Sequence, residues 1–164
     1  MNKRARQYIG LFSAIIAYYV IHEGAHLIYA WLNGAYKQIN LIGLGVQIDI
    51  YPDRLTNSQL GIFCIVGSVL TLIAAYILVL TADRIGAFSS KVIKACAYYI
   101  TMALLLIDPL YLSALCGFFG GGDMNGISLL VPELVARITY GMVLVINILV
   151  FIKLVLPKYK ATFF

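Results

Sequence analysis

Charged side chains are scarce in this chain of 164 residues: Asp, Glu, Lys and Arg make up 12% of it, against 62% hydrophobic residues. With a mean hydropathy of +0.93, that scarcity excludes an ordinary soluble domain, in which about 25% of residues are charged. Cysteine is limited to Cys64, Cys96 and Cys116, all within apolar stretches and without a C-x-x-C pair. They read as small buried hydrophobes, which excludes a disulfide scaffold and a thiolate metal framework. Repeats and low-complexity tracts are missing as well, so nothing suggests a solenoid or a flexible linker. The formal net charge of +5 is not gathered into one basic stripe. Its residues sit at the ends of apolar runs, which favours the lipid bilayer and its anionic headgroups over nucleic acid as partner.

Long apolar runs are what the sequence does have. Four of them, residues 8–32, 60–81, 92–118 and 134–156, match or exceed the about 20 residues that a spanning helix needs. The expectation is an all-α polytopic integral membrane protein, with residues 1–164 forming one membrane-embedded domain. The first run exceeds the about 7–15 apolar residues of a signal-peptide h-region and lacks an A-x-A-like exit, so it is expected to remain as a span. Lys3, Arg4 and Arg6 precede the first run, Arg84, Lys91 and Lys94 separate the second from the third, and Lys158 and Lys160 follow the fourth. By the positive-inside rule both termini are cytoplasmic. The short chain points to a prokaryotic plasma membrane.

Between the first two runs, residues 36–51 mix β-branched and polar residues in partial alternation around Gly43 and Gly45, with Pro52 behind them. This predicts a short β-hairpin or paired extended segment. Such backbone can lie at membrane depth where protein or a watery cavity satisfies its polar groups. The other connection on that side begins Phe119-Gly-Gly-Gly-Asp-Met-Asn-Gly126, and Pro132-Glu133 fits the start of the fourth helix.

The only two histidines both belong to His22-Glu-Gly-Ala-His26, inside the first apolar run. A spacing of four places their rings on one helical face, one turn apart, where they can share a single ion. Glu23 is held nearby without having to ligate, as a general base requires. An ionisable residue at this depth costs about 2.5–3.5 kcal/mol on insertion scales, so it demands a partner, and one Zn2+ ion would supply it. Satisfied core histidines or a proton relay fit the same spacing. Hydrolytic zinc takes three protein ligands and an open position. Without a third His, the remaining ligand is a carboxylate, and two qualify: Asp108 in Ile-Asp-Pro-Leu110 and Asp123 in Gly-Asp-Met-Asn-Gly126.

On these residues the chain resembles the site-2 protease family of intramembrane zinc metalloproteases. His22-Glu-Gly-Ala-His26 matches the family's zinc helix, and Ile42-Gly-Leu-Gly45 is similar to the strand that follows it. Gly67-Ser-Val-Leu-Thr71 loosely resembles the Gly-Pro-x-x-Asn motif of the next span, with Ser68 and Thr71 in place of Pro and Asn. Asp108-Pro109 and Asp123-Met-Asn-Gly126 stand, with stretched spacing, where the family carries Asn-x-x-Pro and a zinc-binding Asp-Gly. The resemblance implies His22, His26 and Asp123 as zinc ligands and Glu23 as catalytic base. It also implies a transmembrane or membrane-anchored peptide substrate. An extended substrate would add to the edge at residues 38–50, with Gly43 and Gly45 as contacts, and Asn125 would donate to the substrate or orient Asp123. Two rival functions use the same residues: a non-proteolytic metal-binding scaffold or regulator of this fold, and a membrane protein that relays protons or ions through Glu23, His26 and Asp108.

Overall fold

The computed structural model describes residues 1–42, 45–118 and 122–163. Helix α1 runs over Lys3–Leu32, followed by strands β1, Tyr36–Ile42, and β2, Gly45–Ile50. Helices α2, Asn57–Gly86, and α3, Lys91–Leu110, come next, then the short α4, Asp123–Ile127. The chain ends in α5, Glu133–Val150, and α6, Leu156–Phe163. Wide π-type turns at Tyr111–Leu115 and Phe151–Val155 prolong α3 and α5. Four helical segments are long and apolar enough to cross a membrane: Lys3–Leu32, Asn57–Gly86, Lys91–Phe118 and Glu133–Tyr159. The architecture is that of an all-α integral membrane protein with one two-stranded antiparallel sheet between its first two spans.

Local chemistry sets the helix ends. Asn2, Thr56 and Ser90 each accept a hydrogen bond from a backbone N–H in the first turn of α1, α2 and α3, and at α2 Gln59 answers Thr56 to complete a capping box. After α1, Gly34 at φ +64° reverses the chain into β1. Tyr51 N–H then donates to Ala35 O at 2.8 Å and closes the hairpin against the end of α1.

On α2, small residues make up most of the inward face. Large apolar side chains such as Phe12, Val20, Leu80, Leu134 and Val145 point outward, while Gly61, Cys64, Gly67, Ser68, Thr71 and Ala75 form the buried face of α2. Lipid is as apolar as Leu, so close backbone approach over small residues is what holds such helices together. A Cβ on Gly10 of α1 would sit 2.9 Å from the Ala95 carbonyl oxygen of α3.

Pro109 interrupts α3 and leaves the Leu105 carbonyl without its usual N–H partner four residues on. Asn147, fully buried on α5, donates to that carbonyl through Nδ2 at 2.7 Å and accepts from Tyr76 Oη of α2 at 2.8 Å. The polar residue of the fourth span thus repairs the helix break in the third, as a lipid environment requires.

Candidate metal centre

Side chains from α1 and α4 converge at the end of the bundle that carries the hairpin. His22 and His26 are one turn apart on α1, and their Nε2 atoms face each other at 3.1 Å. Asp123, at the start of α4, brings Oδ2 to 3.2 Å from His22 Nε2 and 3.6 Å from His26 Nε2. Three potential ligand atoms therefore surround one point, and the set could hold a metal ion. Ligand atoms about 2.0–2.1 Å from a tetrahedral zinc stand about 3.3 Å apart, which the three observed separations bracket.

The donor set fits too. Two imidazoles and a carboxylate are borderline ligands of the kind zinc accepts. Both histidines are buried, 7% and 3% exposed, and their facing Nε2 atoms beside a carboxylate form a site that one shared proton or one shared cation satisfies. Burial by itself would push the Asp123 carboxyl up, yet the adjoining His22 and His26 rings hold it down at about 2.

Packing keeps this arrangement open. A Cβ on Gly67 would lie 2.6 Å from His26 Nε2 and 2.8 Å from His22 Nε2, so only glycine lets α2 approach the pair. Helix α4 is seated equally tightly: a Cβ on Gly126 would collide with Cys64 of α2. Phe63 packs on the His26 ring with centroids 4.7 Å apart.

The pair faces a cavity of about 570 Å³ lined by Tyr19, Glu23, Phe63, Tyr111 and Asp123 together with residues 45–48 of β2. Glu23 is half-buried in its wall, and its Oε2 accepts a hydrogen bond from Ile48 N–H at 3.1 Å. Since Ile48 gives this N–H to Glu23 and not to β1, the outer edge of β2 faces the cavity, and alternation turns Val46 the same way.

Asp108, the other candidate carboxylate, is 1% exposed and lies against the opposite nitrogen of His22. Its Oδ1 and Oδ2 are 3.2 and 3.3 Å from Nδ1, Tyr18 Oη donates to Oδ1, and Thr71 Oγ1 donates to Oδ2, each at 2.5 Å. Asn125 is exposed and lies outside the residues lining the cavity, whereas Gly45 lines it. Gly43 lies outside the described residues.

Sequence reasoning missed Tyr18 entirely and noticed Gly67 and Thr71 only through a motif. The signal for Tyr18 was its position one turn before His22 on the same face. Comparison with protein-family models, curated proteins and solved structures finds no match.

Proposed function

We propose that this protein is an intramembrane zinc metalloprotease of the site-2 protease type, acting on transmembrane or membrane-anchored peptides, with both termini cytoplasmic. The observation that carries the reading is the convergence of His22, His26 and Asp123 beside a cavity that also contains Glu23 and an open strand edge. His22 and His26, through Nε2, and Asp123, through Oδ2, would hold the ion. When bound, zinc supplies a Lewis acid that acidifies water and polarises a peptide carbonyl.

The remaining steps belong to the chain. Glu23 Oε2 is anchored by Ile48 N–H, so Oε1 takes the proton of the attacking water. As the water oxygen bonds to the carbonyl carbon and the C–N bond breaks, Glu23 returns that proton to the departing amine. A substrate opened from its helix would add to the outer edge of β2. An apolar groove of about 520 Å³ between α1 and α3, lined by Leu11, Ile15, Met102 and Leu106, meets the catalytic cavity at Tyr19. This groove offers a route from the lipid.

The test pairs metal content with cleavage. Detergent-purified protein should carry about one zinc per chain, lost in His22→Ala and Asp123→Asn. Reconstituted with a pool of transmembrane peptides, it should generate new peptide termini that disappear in Glu23→Gln while the zinc remains. Zinc at background after reloading would overturn the reading. Zinc without Glu23-dependent cleavage would leave a metal-binding scaffold. The continuous chain Tyr18–Asp108–His22–Asp123 favours one second reading, a proton relay, which pH-driven proton flux abolished by Asp108→Asn would reveal.

A further inference from the structure

We propose that Asp108 is the positioning residue of this centre: it fixes the proton of His22 on Nδ1 and so aims the lone pair of Nε2 at the metal position. The inference rests on the metal reading above.

The argument starts from the asymmetry between the two histidines. His26 is 3% exposed, and its Nδ1 has no hydrogen-bond partner among the described residues. His22 Nδ1 faces a carboxylate straddling it at 3.2 and 3.3 Å. Asp123 Oδ2 stands equally close to Nε2, at 3.2 Å; once a cation occupies that side and takes Asp123 as a ligand, the single proton of a neutral imidazole has Asp108 beside Nδ1 as its acceptor, and Nε2 ligates. Outer carboxylates on ligating histidines act in this way, and their loss typically costs about 10–100-fold in metal affinity.

Asp108 is itself over-determined. Tyr18 of α1 donates to one of its oxygens and Thr71 of α2 to the other, so groups from two helices orient a carboxylate on a third. Tyr18 also stacks on the His22 ring, with centroids 5.2 Å apart and planes at 27°. Both hydroxyls act as donors, so both carboxylate oxygens are committed as acceptors. An Asn at 108 breaks that pattern, because one position becomes an NH2. That amide would donate to His22 Nδ1 and move the ring proton to Nε2, where it blocks ligation. The same logic explains why Asp to Asn in a catalytic triad yields the wrong tautomer.

The experiment uses the full chain in detergent micelles, labelled with 15N-histidine, which reports on two residues only. Zinc-loaded wild type should show His22 ligating through Nε2 with a slowly exchanging proton on Nδ1, and Asp108→Asn should lose that proton signal or the ligation itself. Zinc affinity, measured by competition with a fluorescent chelator, should fall about 10–100-fold in Asp108→Asn and less in Tyr18→Phe and Thr71→Val. Should Asp108→Asn fail to fold, the Tyr18 and Thr71 variants carry the test, with partial loss of the Nδ1 proton signal as the expected result. An unchanged Nδ1 proton signal with near wild-type zinc affinity would overturn the positioning role and leave the metal reading intact. Wild type that binds no zinc would overturn the metal reading and, with it, the positioning role.

Discussion

The two ends of this bundle are built from different materials. At one end Ala75, Val79, Ala82, Ala97, Tyr98, Leu104, Leu105, Val155 and Tyr159 form a core held by shape. At the other, residues such as Phe63, Leu112, Met124 and Ile127 surround buried His22, His26, Ser68, Thr71 and Asp108. Buried polar groups in an apolar setting are costly unless paired. Their concentration at one end coincides with the candidate metal centre; of those nearer the apolar core, Asn147 answers a backbone defect at Pro109 and Thr101 donates to the Ala97 carbonyl of its own helix. The comparison teaches that polarity here is local and has a nameable cause at each position.

The largest effect that would sharpen this contrast lies in the apolar end. Leu104→Ala should destabilise the bundle by about 2–5 kcal/mol, seen in denaturant titration followed by helical circular dichroism, with zinc binding unchanged while the fold persists. Loss of zinc without loss of stability would break the division. Asn147→Ala should cost about 1–3 kcal/mol, the range for leaving buried partners unsatisfied. That loss should also leave metal affinity intact, since Leu105 and Tyr76 are its only hydrogen-bond partners in the described structure.

Gly67→Ala should strike the centre itself. The added methyl presses on both Nε2 atoms, so metal affinity should drop by tenfold or more, about 1.4 kcal/mol, in the same chelator competition. Thermal stability of the metal-free protein should fall as well, by the about 1–3 kcal/mol of an overpacked site, so affinity is compared where both proteins are folded.

The smallest effect belongs to the hairpin, outside both cores. Lys37 Nζ lies 2.9 Å from Asp49 Oδ2; this hydrogen bond holds the Asp49 carboxyl below its usual range and raises the Lys37 ammonium above its own. A depressed carboxyl stabilises the fold above its unfolded pKa and loses that contribution as pH falls through the folded value. A raised ammonium does so below its unfolded pKa and loses it as pH rises through the folded value. Amide protection factors in β1 and β2, with the intrinsic pH dependence of exchange divided out, should therefore be highest between those limits, fall beyond either, and lose this dependence in Lys37→Met. Both groups are solvated, so the change should be slight.

Much of the fold was legible because a bilayer imposes length and composition on any helix that crosses it. The four spans, the strand pair around residues 36–50 and the start of α5 after Pro132 all follow from local pattern. The zinc-helix pattern was equally local: His22 and His26 share a face by helical period alone. The third carboxylate was not legible. Asp108 and Asp123 both lie on the far side of the chain from α1, and only the seating of α4 on α2, through Gly126 against Cys64, brings Asp123 to the histidines. Asp108 meets the other side of the His22 ring, where Tyr18 of α1 and Thr71 of α2 hold it. The role of Asn147, a polar residue conspicuous in the fourth span, was not legible for the same reason, its partner being a carbonyl freed by a proline on another helix.

The sequence by itself determined that the protein belongs in a membrane, that its spans number four, and that two histidines and a glutamate share one helical turn, because each depends on contacts within a single segment. Tertiary structure alone decided which acid meets the histidines, which one turns to Nδ1, and which strand edge faces the cavity. Those outcomes depend on how closely helices approach, and that distance is set by small residues whose effect exists only once two segments are packed together.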